Sequence, residues 1–458
     1  MNNAVKKNVI PDELNLALQI DKLPLATPDM TEEELRDVVV AFKYFQHHFA
    51  FTPDLGGIGT YKYSIKNLSS RYNGAKNPDN IKTRYEEGKY YGGVPYMGNS
   101  AGSVYRWLEF YDAETGVMDW APIIRTKRIN WVDKNTGKIY PDVGSSYFGN
   151  TCASSCVWSW LRVSNSIDSF WTYSCIPEHG YVKVGDYDLD ENNTYGSSTK
   201  ELCKKNGKER MFAAYAKIKK ADGMVKSGHA VMCVSNATVV YGENGEIDGE
   251  QSYVLIGEQT AGFLTAPPDD GGVERYSPLN DKGDTYRIQG NYSGDIVNGE
   301  VWDMKWNFDH LFGMGYMPFT VKELCGLKPV DKSEVELVLS DEKYTADHIK
   351  ADELGKMNIK SNYAISDTHF IIIDENGNEV FSAMYAALAE DIDRDAPVES
   401  LKNYSVHTAL FDNLIYQDRE LIDKNVQNYA TKGNYKLKIT ARVSTGELLT
   451  VYEGTLIK

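Results

Sequence analysis

No apolar run in the 458 residues approaches the roughly 18 needed to cross a bilayer as a helix, so no membrane-spanning segment is expected. The start, MNNAVKKNVIPDELN, has neither an apolar core nor a small-residue cleavage site, and no signal peptide is expected in it. Basic blocks are also missing. No Lys/Arg run exceeds a pair, and 65 acidic against 49 basic residues give a formal charge of -16. Such a chain has no electrostatic grip on nucleic acid or anionic lipid. Cysteine is scarce: six, at 152, 156, 175, 203, 233 and 325, are too few for a disulfide scaffold, and no CxxC pair offers zinc a site. Internal repeats and low-complexity tracts are absent as well.

At about 100–200 residues per domain, the length predicts two to three domains, with two as the first expectation. Residues 11–50 predict a helical lead-in: PDELNLALQIDKL opens after a Pro, and TEEELRDVVVAFKYFQHHF begins with Thr31 and Glu34 as a capping box. Residues 52–150 have little period apart from SVYRWLEFYD, and predict loops and small helices around a site. In CASSCVWSWLRV, residues Ala153, Cys156, Val157, Trp160 and Leu161 have the spacing of a buried helix face. MFAAYAKIKK, HAVMCVS, ATVVYG and SYVLIGEQ read as short strands of an antiparallel sheet. After LKPVDKS the pattern changes to VELVLS, THFIIID, EVFSAMY, YKLKITARV and LTVYEGTLI, with Tyr435, Leu437, Ile439, Ala441 and Val443 alternating with polar residues. The expected division is therefore a first domain over 1–328 and an all-β sandwich over 329–458.

The chemistry centres on a thiol. Cys152 stands at the first turn of its expected helix, where open backbone N–H groups and the helix dipole favour a thiolate. Cys156 lies one turn further in, about 40° round the helix, and shares the apolar stripe with Val157 and Trp160. A thiolate nucleophile needs an imidazole to move its proton and a polar group to fix the ring. His229, in SGHAVMCVS, enters a strand after a Ser-Gly turn, and Glu258 and Gln259 end the next long strand. Strand alternation lets only one of the two face the ring.

GNTCASSCVWSW resembles the Gly-x-Asp-Cys-Ser-Gly segment of NlpC/P60 and related CHAP and amidase domains. SGHAVMCVS resembles their Gly-His strand, and IGEQ stands at the place of their third polar residue. The resemblance covers about 90–260. It implies an α+β, papain-like domain with Cys152 as nucleophile, His229 as base and Glu258 or Gln259 orienting the ring, Glu258 being preferred because a carboxylate also supports the imidazolium by charge. It also implies Tyr96, in GVPYMGN, at the oxyanion site. Three departures stand out: Thr151 replaces the usual Asp, Ser154–Ser155 replaces Ser-Gly, and more than fifty residues separate Tyr96 from Cys152. CASSCVW is also similar to the Cys-Gly-Ser-Cys-Trp of papain, an alignment that would make Cys156 the nucleophile.

The function expected from this resemblance is cleavage of an amide or peptide bond, in the family often in bacterial cell-wall peptides, without metal or organic cofactor. An extracellular or cell-envelope location suits the Tyr, Asn and Gly content. The alternatives are a papain-like surface or binding protein without activity, and acyl transfer to an amine as in transglutaminases. Other features are expected to be structural: His47 and His48 on the first helix, Cys175 and His179 in YSCIPEHG, and the acidic loop DYDLDENNTYG, which lacks the Gly and Glu of a calcium loop. GMGYMPFTVKEL either walls the cleft or packs.

Overall fold

A computed structural model describes residues 23–48, 50–54, 60–64, 82–86, 91–92, 94, 104–108, 110–119, 131–132, 139–140, 151–167, 180–189, 198–259, 275–276, 285–286, 300–385, 404–407 and 433–457. The chain is mixed α and β, with several sheets and few helices. It divides into two compact units. Met1–Arg125, Val143–Val163 and Ser169–Lys328 form the first; Thr126–Asp142, Ser164–Asp168 and Pro329–Lys458 form the second.

In the first unit, α1 (Glu32–His48) starts at the capping box. The Thr31 N–H donates to Glu34 Oε2 at 2.7 Å and the Glu34 N–H donates to Thr31 Oγ1 at 3.3 Å, satisfying two groups that a helix start leaves open. Leu35, Val38, Val39, Phe42 and Phe45 make its buried stripe. Arg36, on the same helix, is buried too. It donates to Asp222 Oδ1 at 2.8 Å and to Glu32 Oε1 at 2.9 Å, which fixes α1 to the turn before the central sheet. Residues 11–22 of the expected lead-in lie outside the described residues.

The segment expected to be loops and small helices contains more sheet than that. Strands Ala50–Asp54, Tyr91–Gly92, Tyr111–Asp112 and Val117–Asp119 form a four-stranded sheet, with the short helix α2 (Val104–Leu108) beside them in sequence. Pieces of two to five residues are too short for a period of two to register in the sequence.

Helix α3 (Cys152–Trp160) is buried along its whole length. On its α1 side, the Lys43 ammonium meets Ser155 Oγ, and Gln46 donates to the Ser155 carbonyl and to Ser159 Oγ. On its other side lies an antiparallel sheet of β1 (Tyr181–Lys183), β2 (Gly223–Lys226), β3 (His229–Cys233), β4 (Tyr253–Gln259), β5 (Glu300–Asn307) and β6 (Met317–Val321), in the order β5-β4-β3-β2-β6-β1. Gly223 is required by this packing, since a Cβ there would sit 2.4 Å from the Trp160 ring.

Two expected strands need correction. MFAAYAKIKK is not a strand: α4 (Thr199–Asn206) is followed by the helix α5 (Lys208–Tyr215). Its buried Met211, Phe212, Ala214 and Tyr215 fall on one helical face, and its Ala, Lys, Glu and Met are strong helix formers. ATVVYG contributes only two isolated bridges, Thr238 with Tyr253 and Tyr241 with Ile247. Helix α6 (Phe308–Met314) joins β5 to β6.

Besides the two-stranded pairing of Trp131–Val132 with Ile139–Tyr140, the second unit has two larger sheets among the described residues. Val335–Leu339, Glu342–Lys343, Met357–Ser361 and Tyr404–His407 make one. His348–Lys350, Ile365–Ile373, Glu379–Tyr385, Asn434–Val443 and Leu448–Ile457 make the other. Leu337 and Ile359 from the first sheet and Phe370, Ile372, Leu437 and Ile439 from the second belong to one buried core. Tyr435, Leu437, Ile439, Ala441 and Val443 are all buried, on one face of their strand. Among the described residues, no helix is long and apolar enough to cross a membrane.

Candidate active site

Cys152 is the first residue of α3, and the local sequence explains why the helix begins there. The Ser154 N–H donates to Thr151 Oγ1 at 3.1 Å while the Thr151 N–H donates to Ser154 Oγ at 2.8 Å, a reciprocal cap on the first turn. The backbone N–H groups of Ala153 and Ala230 are near enough to the Cys152 sulfur to favour its charged form. His229, the first residue of β3, follows a two-residue turn in which Gly228 takes a φ of +81°, a conformation costly for other residues. Its ring lies between two partners. Nε2 is 2.6 Å from Glu258 Oε1, and the ring lies close enough to the Cys152 thiol for the two to interact electrostatically. Cys152 is buried, and the His229 and Glu258 side chains are only 15% and 7% exposed.

Burial by itself pushes the Cys152 thiol pKa up. The charge and hydrogen bond of His229 and the two backbone N–H groups outweigh it and hold the thiol below its ordinary value. For His229, burial disfavours the imidazolium, but the Cys152 sulfur and the Glu258 carboxylate prevail and raise the ring to about 10. The balance favours a thiolate–imidazolium pair at neutral pH.

Glu258 and Gln259 are both buried, although strict alternation would turn one outward. Each meets a partner inside the protein, so both faces of this strand end are covered, and a β-bulge between Ile256 and Glu258 in the pairing of β4 with β5 shifts the alternation just before them, as bulges beside sites commonly re-aim side chains. Glu258 meets the His229 ring, whereas Gln259 Nε2 donates to the Val94 carbonyl at 2.6 Å. Cys156 is buried one turn inside α3, within electrostatic range of the buried Cys233.

Other sequence candidates fall elsewhere. Tyr96, Cys175, His179, the side chain of His48 and residues 190–196 of the acidic loop lie outside the described residues. Asp186 and Asp188 of that loop pair with Arg210 at 3.1 and 2.6 Å. His47 is buried on α1. Among the described residues, no group of three or more His, Cys, Asp or Glu side chains is placed to hold a metal ion.

Two residues near the pair were not singled out as site residues by sequence. Tyr316, at the start of the run into β6, is buried, and its phenol is pushed well up by burial first and then by Glu258 and Cys152. Lys226 stands opposite His229 in the β2–β3 register, and its Nζ lies 5.2 Å from the centre of the Tyr316 ring. The spacing Lys226-Ser-Gly-His229 carried the signal, because a two-residue hairpin loop sets its flanking residues side by side. Taken together, the groups are of the kinds that nucleophilic catalysis uses: a thiol held low, an imidazole beside it and a carboxylate bonded to the ring. No protein-family model matches the sequence, and no curated protein matches it.

Proposed function

We propose that this chain is a papain-like cysteine hydrolase of the NlpC/P60 kind, cleaving an amide or peptide bond. The observation that carries this reading is the position of the His229 ring between the Cys152 thiol and the Glu258 carboxylate. The first unit then corresponds to the catalytic domain, its cysteine helix packed on an antiparallel sheet that bears base and acid. The second unit is a β-sandwich accessory module that supplies no catalytic group.

In the proposed reaction the Cys152 thiolate attacks the substrate carbonyl, and N–H groups at the start of α3 hold the oxyanion. Collapse of the tetrahedral adduct breaks the C–N bond. The His229 imidazolium passes its proton to the leaving amine and becomes a neutral base. Water then attacks the thioester as His229 takes its proton; the acid leaves, and the thiolate–imidazolium pair is restored. Glu258 keeps the ring oriented and supports its charge throughout. The resemblance to cell-wall hydrolases makes muropeptides the first substrates to test.

The test is release of new amines from a panel of muropeptides and N-acetylated peptides by the wild type, Cys152→Ala and His229→Ala. Activity in the wild type and a loss of about a thousandfold or more in both variants is expected. Cleavage that survives Cys152→Ala would exclude the reading.

A further inference from the structure

Beside the Cys152–His229 pair stands a cation whose charge has no ion-pair partner among the described residues. Lys226 lies directly across the hairpin from His229, and residues so paired project from the same face of a sheet. Its ammonium is over the Tyr316 ring, itself within electrostatic range of Cys152 and Glu258. The carboxylate it feels, Glu258, is already bonded to His229. A second ammonium is brought to the same edge. The Ser227 N–H donates to Thr199 Oγ1 at 2.9 Å, and the Thr199 N–H donates to Ser227 Oγ at 3.2 Å, which pins the hairpin turn to the start of α4 beside Lys200. Gly315, just before Tyr316, allows this approach, because a Cβ there would come within 2.5 Å of the Lys200 backbone.

In a chain of net charge -16, two lysines at one edge of a buried thiol are a local inversion of sign. Burial lowers the Lys226 pKa, and Lys200 lowers it further, while Glu258 and Cys152 act the other way. Half-burying an ammonium without a dedicated counter-charge costs free energy, which an arriving anion would offset.

We infer that Lys226 is a specificity-determining residue, and that the site takes a substrate bearing a carboxylate close to the bond attacked, seated on the Lys226 ammonium against Tyr316. The inference rests on Cys152 being the reactive thiolate. An anion there adds attraction without changing the bond-breaking steps, so Lys226 acts on capture of the substrate, with Lys200 assisting at longer range.

Iodoacetate and iodoacetamide are nearly the same size and differ by one negative charge, so their relative rates of alkylating Cys152 report the field that a substrate carboxylate would meet. Rates are measured on the full chain by mass spectrometry of the Cys152 peptide. In Lys226→Met the iodoacetate-to-iodoacetamide ratio is expected to fall roughly five- to tenfold, the worth of one nearby charge in a half-solvated site. The iodoacetamide rate should stay within about twofold, and Lys226→Arg should keep the wild-type ratio. Should Lys226→Met misfold, added salt lowers the wild-type ratio if the attraction is electrostatic. A wild-type ratio insensitive to salt, or a ratio unchanged in folded Lys226→Met, overturns the inference while leaving the Cys152 reading intact. Failure of both reagents to label wild-type Cys152 overturns that reading, and this inference with it.

Discussion

At the scale of single residues, the chemistry turns on which side chains hold the ring of His229. Its Nε2 is engaged by Glu258, so a carboxylate bonded to the ring favours the imidazolium that partners Cys152. Activity that requires both thiolate and imidazolium should rise with pH below the ordinary thiol range and fall only near the raised His229 value of about 10. Glu258→Gln keeps the shape and removes the charge that raises His229. The alkaline limb of the kcat/KM profile should therefore move to lower pH, with kcat/KM at its optimum reduced about ten- to a hundredfold. Gln259→Ala, by contrast, should cost stability through its lost bond to the Val94 carbonyl and leave the limb in place. An alkaline limb that moves with Gln259→Ala and not with Glu258→Gln would give the role to the amide. The two cysteines of α3 divide in the same way. Iodoacetamide near neutral pH should modify Cys152 first, because its thiol is held low, while burial pushes the Cys203 thiol up to about 11 and raises that of Cys233 well above its ordinary value. Peptide mapping of Cys152→Ala and Cys156→Ala checks it: rapid modification should vanish in the first and persist in the second.

At the scale of elements, the start of α3 decides where the thiol sits. Thr151 and Ser154 are among the departures from the segment the sequence resembles, yet each has a physical task here, since each side chain bonds the other's backbone N–H. Thr151→Ala removes one of the two bonds and should lower the urea midpoint by the equivalent of about 1 kcal/mol. The Ser154 arm remains, so Cys152 should still alkylate faster than the other thiols; if it slows to their rate, the cap also sets the reactivity. The elements that the sequence made legible were those with a local signature: the Thr31–Glu34 cap of α1, the helix after Thr151, the Gly228 turn into β3, and the alternating strand at 434–443. Those it hid lacked one. Helix α5 is so short that Met211, Phe212, Ala214 and Tyr215 fit a buried strand almost as well as a helix face. The two-residue strands at 91–92 and 111–112 exist only through their partners. In the site, Cys152 and His229 were readable from their caps and turns. The choice of Glu258 over Gln259 depends on a bulge that forms only when β4 meets β5, and the place of Tyr316 depends on β6 pairing with β2, a contact nearly a hundred residues apart in sequence.

At the scale of the whole chain, chemistry and bulk separate. Cys152, Lys226, His229, Glu258 and Tyr316 all belong to the first unit, while the core built on Leu337, Ile359, Phe370, Leu437 and Ile439 belongs to the second. Each unit buries its own apolar side chains, so each should melt by its own transition rather than with the other. Leu437 gives a way to test this in the intact protein. It is fully buried at the centre of its strand, and Leu437→Ala should destabilise its unit by about 2–5 kcal/mol through lost transfer energy and the cavity left behind. Urea denaturation of the full chain, followed by tryptophan fluorescence and by far-ultraviolet dichroism, should then show one transition displaced to lower urea and one unmoved. The iodoacetamide rate at Cys152, measured below both transitions, should be the same in wild type and variant. If Leu437→Ala slowed that reaction in parallel with the loss of stability, the thiol would depend on the packing of the second unit, and the β-sheet module would have to be counted as part of the active site.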